Sequence, residues 1–371
     1  MSVLKTPVCD LLGIEYPIFA FTHVREVAAA VSRAGGMGMY GAAYFEPAQV
    51  EEDVAWIAEH TDGKPFGVDV LIPASYEQTT DESLEAMERE LRERIPVGHR
   101  AFVEAELARL GVDEIPPGEP RAPVYPLGTS AAAARLHLRS AMDHGAALLV
   151  SALGAPPVEA VEEAHERGIR IGAMVGSPRH GEKMAGLDLD LIVAQGSEAA
   201  AHSGDLTTMV LVPQIVELFP SVPVLAAGGI ATGPQVLAGL ALGAQGVWTG
   251  SVWRTAAENH DDPPGVVARL LQASSTDTVK SRCMTGKPLR QLRSPWNEAW
   301  EAEGAPDPLP MPLQRMLIED AEQRFVYHDR DDLIVSPIGQ VVGQLREVRP
   351  ARTILEDLVA GCEAAAARLG L

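Results

Sequence analysis

VPVLAAGGIATGPQVLAGLALGAQGVWTGS, residues 222–251, is the stretch on which the fold turns. The apolar run Val222–Ala226 reads as a buried strand, Ala227-Gly228-Gly229-Ile230 as a turn, Gly233–Leu242 as a helix, and Gln245–Thr249 as a second strand ending in Gly250-Ser251. Strand, helix and strand in this order make a parallel βαβ unit. Glycine at the end of each strand lets backbone N–H groups converge on an anion, and the loops after strands seven and eight are where parallel barrels bind phosphate. Glycines also serve any tight turn, but two such turns at successive late strands point to phosphate.

Upstream, Leu189–Ala194 reads as a strand and QGSEAAAHSGDL, residues 195–206, as the loop beyond its C-terminal end. That is where an α/β fold carries its chemistry, and His202, flanked by small side chains, is an imidazole able to exchange a proton near neutral pH. A lone loop histidine is often structural, so the assignment leans on the surrounding pattern. Further back, strands are expected at Tyr16–Ala20, Gly36–Tyr40, Phe66–Ile72, Ala147–Ser151 and Ile169–Val175. Helices alternate with them at Val24–Ala34, Pro47–His60, Ser130–His144, Pro157–Arg167, near Glu182–Ala185, and at Met209–Phe219. The count reaches eight strands, and the fold class is α/β: a (β/α)8 TIM barrel over residues 1–258.

The rhythm breaks between about residues 75 and 126, where ESLEAMERELRERI and HRAFVEAELARLGV read as helices and EIPPGEPRAPVYP as a proline-rich connector. This is a helical insertion after strand three, either a lid or a solvated decoration. Residues 259–371 are expected to form a helical C-terminal extension whose last helix, ILEDLVAGCEAAAARL, packs back on the barrel. Ser151 ends strand four and His180 follows strand five, and the acidic runs at Asp81–Glu93 and Asp329–Asp332 read as solvated faces.

With 30 basic against 51 acidic residues, the net charge of −21 repels nucleic acid and anionic membrane surfaces. Cys9, Cys283 and Cys362 are too dispersed for a metal cluster and odd in number for a disulfide framework, so a cytoplasmic setting is expected. MSVLKTPVCDLLGIEYP has no signal-peptide pattern, and no uncharged apolar run approaches spanning length. No His/Asp/Glu group has metal-ligand spacing.

AAAVSRAGGMGMYGAAY (28–44), KPFGVDVLIP (64–73), DLIVAQGSEAAAHSG (190–204), the 222–251 stretch and SRCMTGKPLRQLRS (281–294) together resemble the nitronate monooxygenases, formerly 2-nitropropane dioxygenases. These look like FMN-binding TIM barrels and include a branch of flavin-dependent enoyl-ACP reductases. The resemblance covers about residues 5–295 and implies FMN as cofactor, with His202 as the catalytic base. It sets Gln195, Gly196 and Ala201 beside the flavin, and Gly228, Gly229, Gly250 and Ser251 around its phosphate. Ala20, Phe21 and Thr22 would lay backbone against the ring system.

The chain departs from the family at two loops. Phe19-Ala20-Phe21-Thr22-His23 stands where a Gln-Ala-Pro-Met-like loop is usual, making His23 a second candidate imidazole. Ala199-Ala200-Ala201-His202 replaces Ala-Gly-Gly-His, adding two methyl groups where glycine freedom is the norm. The expected activity is oxidation of a small-molecule alkyl nitronate with O2. The alternatives are an NAD(P)H-dependent reductase of enoyl thioesters or quinones, and a barrel that binds a phosphometabolite without redox turnover. A homo-oligomer is left open.

Overall fold

A computed structural model describes residues 2–43, 45–71, 81–121, 131–152 and 154–371. Eight parallel strands close in sequence order into a barrel: β1 (Ile18–Thr22), β2 (Met37–Gly41), β3 (Phe66–Val70), β4 (Leu148–Ser151), β5 (Arg170–Val175), β6 (Leu191–Gln195), β7 (Val224–Ala227) and β8 (Gly246–Thr249). β8 returns to β1 with Phe19 opposite Trp248. The strands are short, largely apolar runs buried on both faces for most of their length, as a sheet covered by helices requires.

The helices are α1 (Pro7–Leu12), α2 (Arg25–Arg33), α3 (Pro47–His60), α4 (Asp81–Glu93), α5 (Val97–Arg109), α6 (Ala131–Asp143), α7 (Val158–Glu166), α8 (Pro178–Met184), α9 (Thr208–Leu218), α10 (Gly233–Ala241), α11 (Pro264–Gln272), α12 (Pro295–Glu301), α13 (Leu313–Tyr327) and α14 (Ala351–Arg368). Alternate strand residues Phe19, Met37, Met39, Leu148, Val150, Leu191, Val193, Leu225 and Trp248 fill the barrel, and Val8, Cys9 and Leu12 of α1 pack against them in the same cluster. The outward-facing residues meet the helical ring in a larger core.

A second apolar core joins the insertion to the C-terminal region: Val103 and Leu107 of α5 pack with Trp296 and Trp300 of α12 and with Leu317, Ala321 and Phe325 of α13. Arg324 on α13 donates to the Glu104 carboxylate on α5 at 3.0 and 3.1 Å, and Arg92 on α4 to Glu319 at 2.7 Å. α14 lies against α10 and α2, as its apolar face implies. The tail also holds an antiparallel hairpin absent from the sequence reading, β9 (Thr278–Ser281) and β10 (Leu289–Leu292).

Some sequence boundaries shift. β1 runs two residues further than expected, so Phe21 and Thr22 belong to the strand, with Thr22 paired to Tyr40. The short helix expected near Glu182 begins at Pro178, with Ser177 accepting from the His180 N–H, so exposed His180 is helical. The expected strand end at Ile72, the helix start at Ser130, both limits of the insertion and the end of its proline-rich connector lie outside the described residues.

Contact between α10 and α14 depends on Gly233, where a Cβ would sit 2.1 Å from the Cys362 nitrogen. Gly233→Ala must push the helices apart, and overpacking of this kind costs about 1–3 kcal/mol. A melting temperature lowered by several degrees is expected; an unchanged melt would mean that α14 is not tightly docked.

Candidate active site

The C-terminal ends of the strands bring the candidate residues to one mouth. The loop after β6 is held along its length by the β9–β10 hairpin. Ala201 and Arg290 exchange backbone hydrogen bonds in both directions, at 3.1 and 2.9 Å. The Arg290 guanidinium donates to the Ser197 carbonyl through Nε (3.0 Å) and Nη2 (2.9 Å), and Lys280 Nζ donates to the Gly204 carbonyl at 2.7 Å. His202 Nε2 lies 2.8 Å from the hydroxyl of Thr285, a fully buried residue in the connection between the two strands. Ala201 has φ 58°, the left-handed region that a methyl-bearing residue enters at a cost and that glycine enters freely.

His202 is half-buried, and burial, with the Lys287 ammonium second, pushes its pKa down to about 4, so the ring is neutral at physiological pH. His23 follows β1, three strands away from β6 around the ring. Its Nδ1 lies 2.8 Å from the Gly41 carbonyl and must therefore carry the proton, leaving Nε2 as the acceptor in the neutral ring. The ring meets Phe21 and Phe45 edge-on at centroid distances of 5.1 and 5.7 Å. Desolvation is the main cause of its lowered pKa, opposed by the Gly41 bond, although the residue is exposed.

Asp69 on β3 is a residue of the mouth that the sequence reading does not single out. Val68 and Val70 on either side face the helical ring, so Asp69 points into the barrel, level with Gly41 and Val150 near the mouth. The residue is 3% exposed, and its carboxyl has no hydrogen-bond partner among the described residues and is pushed by desolvation up to about 8. The signal available in the sequence is a lone carboxylate inside the run FGVDVLI.

Gly228 (φ 98°) and Gly229 (φ 71°) turn sharply after β7. No acceptor among the described residues meets the backbone N–H groups of Gly228, Gly229, Gly250 and Ser251. The turn is set by close packing beneath it: the Thr208 hydroxyl donates to the Gly228 carbonyl at 2.9 Å, and a Cβ on Gly196 would lie 2.1 Å from that hydroxyl oxygen. Glu198 approaches Gly229, but its carboxylate is occupied, accepting from the Thr208 N–H at 2.9 Å. Ser251 Oγ accepts from the Gly339 N–H at 2.9 Å, so its side chain is already engaged by the C-terminal segment. Free N–H groups beside positive-φ glycines fit a phosphate ester such as that of FMN, with Gly228, Gly229, Gly250 and Ser251 as the holding residues.

Other candidates have structural duties. Ala20 faces the helical core, and the Thr22 hydroxyl accepts from the Val24 N–H at 3.0 Å. Ser151 is fully buried and donates to the Gly154 carbonyl at 3.0 Å. Phe21 stacks on Trp248 at 6.1 Å, lining the mouth beside His23. Gln195 ends β6, opposite Ala227 on β7. Among the described residues no group of three or more His, Cys, Asp or Glu could hold a metal, and the three cysteines are free and buried.

The fold is a (β/α)8 barrel, an architecture whose enzymes carry their chemistry at the C-terminal mouth. The chain belongs to the nitronate monooxygenase family, whose profile matches residues 5–361. It is 44% identical over 362 residues, 96% of each chain, to the Mycobacterium tuberculosis (strain ATCC 25618 / H37Rv) protein named "Putative monooxygenase Rv1533". It is 27% identical over 373 residues, again 96% of each, to "Probable nitronate monooxygenase" of Staphylococcus aureus (strain JH9). The fold is shared with nitroalkane oxidase from Streptomyces ansochromogenes, at TM-score 0.77 and 23% identity over 98% of this chain and 99% of that one. The protein is thus an oxidoreductase of a flavin-dependent family. No helix among the described residues is long and apolar enough to cross a membrane.

Asp69 supplies a pH test. Its folded-state pKa of about 8 lies above the ordinary 3.8, so between those values the folded state keeps a proton that the unfolded chain releases, and stability falls as pH rises. Asp69→Asn should flatten that fall and melt higher than wild type at pH 9, about 2 °C per kcal/mol relieved. Parallel melting curves for the two proteins between pH 5 and 9 would refute the buried, protonated state.

Proposed function

We propose that this protein is an FMN-dependent oxidoreductase that oxidises alkyl nitronates with O2, with His202 as its acid/base group. The observation that carries the reading is the pairing of a neutral imidazole after β6 with free N–H groups on the turns after β7 and β8. A bound FMN supplies the two-electron chemistry and the reaction with O2. The chain's own residues hold and orient. Backbone N–H groups of Gly228, Gly229, Gly250 and Ser251 would hold the phosphate, while Gln195, Gly196 and Ala201 would line the flavin from the β6 loop. Phe21 and His23 wall the opposite side.

When the substrate arrives as the neutral nitroalkane, His202 removes the α-carbon proton: the C–H bond breaks and its electron pair becomes the nitronate C=N bond. A ring with pKa about 4 is unprotonated at physiological pH and available for this step. The same histidine could steer a proton in a reductase, so the assay must separate the two activities. O2 uptake with propionate 3-nitronate or 2-nitropropane supports the proposal. Anaerobic NADH oxidation with an enoyl thioester or quinone, without that O2 uptake, would replace it.

Purified protein should be yellow, and mass analysis of the released flavin should give FMN; FAD, or colourless well-folded protein, would sink the assignment. Gly229→Asp puts a carboxylate at the phosphate turn beside Glu198, and FMN retention should be lost while the barrel stays largely folded by circular dichroism.

His202→Asn should retain FMN and lose roughly 10²–10⁴-fold in turnover of the neutral nitroalkane. With preformed nitronate the loss should be smaller, because no carbon acid is deprotonated. An equal, small effect on both substrates would remove His202 from the role, and loss of activity on His23→Ala would move it to the β1 side.

A further inference from the structure

We propose that Thr285 is a positioning residue that fixes His202 in the Nε2–H tautomer and so leaves Nδ1 as the bare nitrogen facing the ligand. This inference rests on the reading of His202 as the proton-transfer group.

The hydrogen-bond inventory around the pair decides the tautomer. Thr285 is fully buried, and its hydroxyl has two neighbours besides His202: the Lys287 carbonyl, to which it donates at 3.4 Å, and the Lys287 N–H, from which it accepts at 3.4 Å. His202 Nε2 lies closer, at 2.8 Å. If Nε2 carries the proton, it donates to the Thr285 oxygen, and the hydroxyl proton goes on to the Lys287 carbonyl. Both protons are used, and only the Nδ1 lone pair is left over. If instead the hydroxyl donates to Nε2, the Nδ1–H has no acceptor among the described residues, and the Lys287 carbonyl loses its donor there. The first arrangement makes one more hydrogen bond from the same groups.

Nδ1 is meanwhile the open side of the ring. It has no partner among the described residues and is not fully buried. The backbone fixes the approach of the two groups: the Ala201–Arg290 pairing holds the residue before His202, and the hairpin that carries Arg290 also carries Thr285. In the proton transfer from a nitroalkane, Nδ1 takes the α-proton and the ring becomes an imidazolium. Its Nε2–H bond to Thr285 is kept throughout, so the hydroxyl need not reorient.

The test is ¹⁵N NMR of the flavin-loaded protein labelled at histidine, with the His202 signals assigned by their loss in His202→Asn. Wild type should show a neutral ring protonated at Nε2. Thr285→Ser, which keeps the hydroxyl, should preserve that signature. Thr285→Val, similar in shape but without the hydroxyl, should give a mixture of tautomers. Turnover of the neutral nitroalkane should fall about tenfold in Thr285→Val, in kcat rather than KM, and return in Thr285→Ser. An Nδ1-protonated ring in wild type, or an unchanged tautomer in Thr285→Val, overturns the inference. A wild-type ring protonated at Nε2 together with an unimpaired His202→Asn would instead count against His202 as the proton-transfer group while leaving the positioning intact.

Discussion

The site depends on one short backbone pairing, the two hydrogen bonds by which Ala201 and Arg290 hold each other across the mouth. Residues 195–206 form a loop whose own sequence does not fix its path, and Ala201 sits at φ 58° within it. A left-handed alanine costs roughly 1–2 kcal/mol, while each backbone hydrogen bond contributes about 0.5–1.5 kcal/mol net. The two bonds are therefore enough to hold the strained residue, and the Arg290 guanidinium on Ser197 adds a charge-assisted tie. Strain at Ala201 persists because the hairpin over-determines it, which is the usual condition for strained backbone at a functional site.

The hairpin in turn is anchored away from the barrel. β9 and β10 lie between α11 and α12, and α12 shares the second core with α5 and α13. Gln314 on α13 donates to the Cys283 carbonyl at 2.7 Å, tying that core to the connection that holds Thr285. The insertion after β3 is thereby linked to the His202 loop through packing: its described helices rest on the C-terminal region. A lid and a solvated decoration are the two expectations for it, and buried Val103 and Leu107 exclude pure decoration for α5.

The barrel is legible in the sequence because its signals are local. Each strand is a short apolar run closed by a polar or glycine-bearing turn, and Pro47–His60 is bounded correctly by proline at its start and polar residues at its end. β1 extends two residues past its expected end because Phe21, which looks like the first loop residue, belongs to the barrel by stacking on Trp248. The hairpin is hidden for a different reason. Strands of four residues, Thr278–Ser281 and Leu289–Leu292, mix polar and apolar side chains and are stabilised by what they clamp. Thr285 is equally silent in the sequence, since a threonine in TGKP gives no hint of a histidine eighty-three positions earlier. Gly196 is marked by the family resemblance for its place beside the flavin, yet Thr208 already demands glycine there.

One physical cause unites the titratable groups at the mouth. His202 and His23 are pushed down and Asp69 is pushed up, and in all three desolvation is the largest cause. Each shift favours the uncharged form, although the chain as a whole carries a net charge of −21. With His202, His23 and Asp69 uncharged at rest, the fixed charge around the β6 loop is left to Lys287, Arg290 and Glu198, and charge created on a ligand there would have to be met by those side chains and by hydrogen bonds from backbone N–H groups. Desolvation also strengthens any such bond once made, because the surrounding dielectric is low.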